Sequence, residues 1–194
     1  WLGGFSAMYA SSNSEDALRY ARYGFLGIIF IPIFAYHFIR SFLNLQNNIL
    51  LKGAYVLSIP AVLYSQLPYI YKEIKLHSWG FYPVGGKFYP LFLMLFFVLF
   101  SHGVWLLCRE LGNSLLSSSK RQSLKYVIAA FTIGTVGVVD YLAKYPSLHL
   151  FPFGYICALF LIGLIAYAIV KHRLLDIRVV ITRASIFGFV YALV

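Results

Sequence analysis

The sequence predicts an all-α fold, a polytopic transmembrane helix bundle with five complete spans and a partial span at each end. Three observations carry that prediction. Of the 194 residues 61% are hydrophobic and 11% charged, with mean hydropathy +0.78, more apolar than a water-facing surface tolerates. Five runs are long enough to cross a hydrocarbon core about 30 Å thick, which takes roughly 20 helical residues. The charged residues fall in short clusters between these runs and not on one continuous face. The net charge of +10 is therefore a topology signal, and no nucleic-acid partner is expected.

The opening run, 1–10, is too short to span and lacks the basic start and cleavage pattern of a signal peptide. It reads as the outer end of a helix that begins before Trp1. Complete spans follow at 23–43, 49–71, 89–108, 124–143 and 153–170, and an apolar run at 184–194 starts a further helix. Residues 1–183 thus form the bundle, and the sequence reads as an internal slice of a longer protein. Pro32 and Pro60 lie inside spans, where each should kink its helix and free a backbone carbonyl. Ala130, Gly134 and Gly137 on one span, with Gly154 and Gly163 on another, are small enough to let helices approach closely. Cys108 and Cys157 have neither metal-ligand spacing nor disulfide company and read as buried, inert thiols. Neither metal nor cofactor is expected.

Orientation follows from the basic residues in alternate connections. Ten of the sixteen Lys and Arg share one side: Arg40, Lys52, Arg109, Lys120, Arg121, Lys125, Lys171, Arg173, Arg178 and Arg183. The other side holds Arg19, Arg22, Lys72, Lys75, Lys87 and Lys144. The richer side is cytoplasmic by the positive-inside rule, so 11–20, 72–88 and 144–150 should face outward.

One outward connection is dense in turn formers and aromatics, with Trp79, Gly80, Phe81, Tyr82, Pro83, Gly85, Gly86, Tyr89 and Pro90. It suits an interfacial aromatic belt around a structured turn and equally the lip of an outward-facing pocket. Ionisable groups inside the bilayer add further candidates, because each costs several kcal/mol unless paired or hydrated. Asp140, near the outer end of its span, is either an interfacial carboxylate or a buried partner, and Arg22 is the cation expected at the same depth. His102 lies well inside its span; hydrogen bonding within the bundle is its plain role and a ligand, proton or metal role the sharper one. His37, beside Arg40, reads as interfacial. Candidate pocket residues are therefore Arg22, Trp79, Phe81, Tyr82, Tyr89, His102 and Asp140. The 194 residues carry no Gly-rich nucleotide loop, phosphoacceptor-histidine motif or metal-ligand cluster, so no catalytic site is expected within them.

Several of these residues also carry a resemblance. The Trp79-Gly80-Phe81-Tyr82-Pro83 turn leading to Tyr89 and Phe92, the Tyr20-Ala21-Arg22-Tyr23 helix start and Asp140 are three parts of it. The fourth is Ile165-Ala166-Tyr167-Ala168-Ile169 followed by His172-Arg173-Leu174-Leu175-Asp176-Ile177-Arg178-Val179-Val180. Together they resemble the N-terminal seven-helix membrane region of bacterial sensor histidine kinases. The likeness covers nearly the whole chain and is most specific over 167–180. Two positions depart from the family pattern: Tyr20 stands where Trp is common, and Phe81 where Tyr is common.

The resemblance implies that the five spans are helices three to seven of that region, placed in the bacterial cytoplasmic membrane. It further implies that an outward or membrane-borne signal, small-molecule or otherwise, passes to a cytoplasmic output domain in the same chain beyond Val194, a histidine kinase or a cyclase-type enzyme. The 171–183 segment, with Lys171, Arg173, Asp176 and Arg178, is then either a helical coupling element or a basic membrane anchor, and the resemblance favours coupling. Beyond the lipid bilayer, a homodimer or a larger membrane complex stays open. From the residues alone, a transporter fragment or an accessory scaffold subunit of a membrane complex also remain; the former would show polar mid-bilayer residues, inverted repeats or broken helices.

Overall fold

Asn13 starts the longest helix. The structure, a computed structural model, describes residues 1–46, 48–145, 147 and 150–172. A short helix, α1 (Leu2–Ala10), comes first, and α2 (Ser14–Phe42) follows it. The Asn13 side chain accepts a hydrogen bond from the Asp16 N–H at 2.8 Å, and Glu15 and Asp16 put negative charge on the first turn of α2, where the helix dipole favours it. Because of this cap, α2 begins nine residues before the expected span at 23. Arg19 and Arg22 consequently lie on a helix and not in a loop. Buried positions on α2 recur at helical spacing, Ala17, Ala21, Phe25, Ile28 and Ile29 among them, so one face of it forms the middle of the core. Against that face α1 packs closely: a methyl added to Gly4 would lie 2.6 Å from the Gly24 Cα.

The second expected span, 49–71, is shorter than its apolar run. Asn48 caps α3 (Ile49–Ser65), accepting from the Leu51 N–H at 3.0 Å, and the helix stops before Pro68, since proline disfavours helical geometry in the residue preceding it. Both α2 and α3 run on through their internal prolines, Pro32 and Pro60. Next comes a departure from the all-α expectation: β1 (Tyr71–His77) and β2 (Gly80–Gly85) form an antiparallel hairpin. Its register pairs Ile74 with Pro83, Lys75 with Tyr82 and His77 with Gly80, with an irregularity between Tyr71 and Glu73. Gly80 has φ +118°, a conformation that L side chains rarely adopt, so the tight turn requires glycine here.

The chain re-enters helix at α4 (Tyr89–Leu111), where Pro90 occupies the first turn, the one place its missing N–H costs nothing. Ser117 caps α5 (Ser118–Val136); Gly137 then interrupts the helix, and a single turn, α6 (Val139–Leu142), completes the expected fourth span. The last described element is α7 (Gly154–His172), packed along α5. Three stretches, Ser14–Phe42, Tyr89–Leu111 and Lys120–Leu142, are long and apolar enough to cross a bilayer, while Ile49–Ser65 and Gly154–Ala168 are shorter apolar helices. Large apolar side chains stand exposed on the outer faces, including Val56, Leu63, Met94, Trp105, Leu159 and Phe160. Such faces suit lipid, whose tails ask for no hydrogen bonds.

Two smaller expectations are corrected. Cys157 is buried, but Cys108 is exposed, on a part of α4 where Trp105 is exposed as well. Gly134, Gly137 and Gly154 do sit at the close α5–α7 contact, whereas a methyl on Gly163 would meet nothing within 4 Å. The expected helix start at 184–194 lies outside the described residues, as do Arg173, Asp176, Arg178 and Arg183.

Candidate functional site

Two of the connections predicted to share one side, 72–88 and 144–150, meet at one end of the bundle, where the end of α1 joins them. The Gly85 N–H donates to the Lys144 carbonyl at 2.9 Å, Gly80 faces the Tyr9 ring, and Trp79 meets Phe151 edge-on at 5.3 Å. Beneath this end lies a cavity of about 530 Å³, within the range of small-ligand sites. It fills the space between two packed pairs, α1 on α2 and α7 on α5, with Phe96 and Phe100 of α4 also in its wall. Towards the hairpin its lining becomes polar, with Tyr82, Asp140 and Lys144; away from it the walls are Ile31, Phe100, Leu161 and Ile162.

Lys144 organises the polar end. Expected as an outward loop charge, it is instead 2% exposed. Its Nζ donates to the Asp140 main-chain carbonyl at 2.9 Å and to the Tyr82 hydroxyl at 3.3 Å, and it lies 5.1 to 6.0 Å from the ring centres of Phe5, Tyr71, Tyr82, Tyr89 and Tyr141. Aromatic faces attract a cation through their quadrupole, and here five of them partly replace its lost water. Burial still dominates: it pulls the Lys144 ammonium from its usual 10.5 down to about 7, against the opposing pull of the Asp140 carboxylate. Burial likewise pushes the Tyr71 and Tyr82 phenols well above the usual tyrosine range, so both remain neutral; Tyr82 donates its proton, while the Tyr71 hydroxyl has no partner among the described residues.

Asp140 is held by the helix it faces. Its Oδ1 accepts the Gly154 N–H at 2.6 Å, which joins the start of α7 to α6. Gly154 allows the approach, since a methyl there would fall 2.6 Å from both the Asp140 Cγ and the Gly137 carbonyl oxygen. The expected Arg22–Asp140 pair does not form. Arg22 turns to the hairpin, donating from Nη2 to the Tyr71 carbonyl at 3.2 Å, while its buried Nε has no partner among the described residues. The charged neighbour of Asp140 is Lys144. Arg22 is engaged by the hairpin carbonyl because β1 packs directly on α2.

The other predicted candidates divide into those at the cavity and those away from it. Tyr82 lines it and donates to the Asp140 carbonyl at 2.8 Å; Tyr89, fully buried, stands behind Lys144 and donates to the Tyr141 carbonyl at 3.2 Å. Phe81 packs against the main core, and Trp79 stacks on His77 at the hairpin tip with its indole N–H unpartnered among the described residues. His102 belongs to a separate polar knot between α2, α3 and α4. There the Tyr36 hydroxyl accepts from Arg40 Nη1 at 3.3 Å and Asn48 Nδ2 at 3.2 Å, which leaves its own proton for His102 Nδ1 at 2.8 Å. His102 is thus hydrogen-bonded within the bundle, the plainer of its two expected roles. His37 meets the Tyr55 hydroxyl at 2.8 Å.

Sequence reasoning passed over Lys144, Tyr141 and Phe5. A lysine two residues beyond an apolar turn looks like any loop charge. The available signal was Tyr141, three residues before it and so on the same face of a helix.

A profile of the N-terminal seven-transmembrane region of histidine kinases matches residues 1–178. The chain belongs to that family. Membership makes it a membrane protein and points to a membrane sensory module of histidine kinases. No curated protein and no solved structure matches the chain. Tyr82, Asp140 and Lys144 line the polar end of the cavity under the hairpin, and Ser6, Tyr9, Tyr141 and Tyr155 are also in its wall.

Proposed function

We propose that this chain is the sensory membrane module of a bacterial histidine kinase-like protein in the cytoplasmic membrane. In this reading the cavity takes an outward or membrane-borne ligand, and the 171–183 segment relays occupancy to a cytoplasmic output domain in the same chain. The cavity carries the proposal: it has ligand size, an apolar body and one polar end, and both α1 and α7 contribute to its walls. A ligand shifts a conformational equilibrium only through contacts that differ between the two states. α7 suits that role, because its start is hydrogen-bonded to Asp140 at the polar end and its far end leads into 171–183.

Inserting one alanine after Val170 in the full-length protein tests the relay, since it turns everything downstream by about 100° on a helix of 3.6 residues per turn. Output should be locked or lost while the protein still inserts in the membrane. Ala158→Trp, which fills the cavity from α7, should make output insensitive to the signal. Output that ignores both changes overturns the proposal.

A further inference from the structure

The polar end of the cavity specifies a charge class of ligand, and the inference rests on the sensory reading above. Below about pH 7, where Lys144 holds its proton, one carboxylate and one ammonium meet there. The Asp140 carboxylate uses Oδ1 for the Gly154 N–H, its one side-chain hydrogen bond among the described residues, so Oδ2 keeps acceptor capacity. Lys144 has three N–H groups and gives two to the Asp140 carbonyl and the Tyr82 hydroxyl. Each side chain therefore has capacity left, one to accept and one to donate, and both line the same space.

A charged ligand would upset this balance. A carboxylate head gains Lys144 but is brought beside Asp140 in a poorly hydrated site; an ammonium head gains Asp140 but is brought beside Lys144. Unpaired charge in such surroundings is costly. A bare hydrocarbon leaves both polar groups unused. A neutral head that donates and accepts at once meets Asp140 and Lys144 together without adding charge.

The remaining space sets the tail. Gly154 to Ile162 spans ~12 Å of helix at 1.5 Å per residue, and walls of Ile31, Phe100 and Leu161 line that run. At roughly 30 Å³ per water-sized group, the cavity has room for on the order of fifteen heavy atoms. We propose that the cavity binds an uncharged, medium-chain amphiphile, a primary amide or alcohol, with its head between Asp140 and Lys144 and its tail along α7.

The test uses the full-length protein in lipid nanodiscs and a decanamide analogue with a photoreactive diazirine in its tail, its attachment sites mapped by mass spectrometry. Labelling is expected on α1 and α7 within the cavity, with decanamide competing about tenfold better than decanoate, decylamine or decane. The variants sharpen this. Asp140→Asn should shift preference towards decanoate and Lys144→Met towards decylamine, and either shift in a folded variant supports the assignment.

A wild-type protein that takes decanoate or decylamine as well as decanamide overturns it, as does labelling confined to lipid-facing residues. The two proposals fail separately. Decanamide that binds in the cavity and leaves kinase output unchanged sinks the sensory reading alone. Absent decanamide binding, with output still fixed by Ala158→Trp, sinks the ligand class alone.

Discussion

Lys144 shows how far a single residue can depart from its appearance in the sequence. It stands in a connection between apolar runs, where a lysine is ordinarily hydrated, yet five aromatic rings and two oxygen acceptors enclose it. Its displaced titration makes stability depend on pH. The unfolded chain holds this proton up to the usual 10.5, whereas the folded chain gives it up above about 7. Between those values the unfolded state binds more protons, so stability rises with pH across that window, and below it the cost of burying the charge is fully present. The thermal midpoint in detergent should therefore climb from pH 7 towards 10.5 in the wild type, and Lys144→Met should flatten the climb. Parallel curves for the two proteins would show that Lys144 is hydrated. Asp140 was legible as a candidate because a carboxylate near the end of an apolar run is costly. Its partner was not legible, since Arg22 and Lys144 are both cations at the same end of the bundle and only the packing chooses between them.

At the scale of elements, helices were the easier part to read. Asn13, Asn48 and Ser117 each cap a helix through a side chain that accepts a backbone N–H, and the stop at Pro68 is local chemistry too. The hairpin was harder. Its first strand, Tyr71 to His77, carries Lys72, Glu73 and Lys75, and the charges suggest a loop; the period-two signal is confined to Ile74 and Leu76, too short to outweigh them. Tertiary contact supplies the rest, because Tyr71 and Tyr82 turn inward onto the core. The turn then depends on Gly80 at φ +118°. Gly80→Ala should cost about 1–3 kcal/mol in local stability, read as faster amide hydrogen exchange across 71–85 with exchange in α4 unchanged. Unaltered exchange in the hairpin would show that the turn tolerates a side chain.

For the whole molecule, the sidedness proposed from the basic residues has a direct check. Two of the connections assigned outward, 72–88 and 144–150, converge at one end, where the hairpin covers the polar end of the cavity. A membrane-impermeant amine reagent added outside intact cells should therefore modify Lys75 and Lys87 and spare Lys120. Modification of Lys120 from outside would invert the chain and put the cavity mouth in the cytoplasm. Lys144 should resist the reagent from either side, being 2% exposed. The cavity itself draws on α1, α2, α4, α5, α6 and α7, so its existence depends on how six helices settle against one another.

The sequence by itself determined the membrane character, the helical bulk and the family, because hydropathy and short motifs are properties of neighbouring residues. Tertiary structure alone decided the site. The Tyr82 hydroxyl meets the Asp140 carbonyl across 58 positions of sequence, Lys144 meets Tyr82 across 62, and Arg22 is drawn to the Tyr71 carbonyl across 49. Such contacts arise where helices and hairpin pack, and burial then changes what each group does: a loop lysine becomes the enclosed cation of a cavity, and an arginine expected at the carboxylate holds a strand in place.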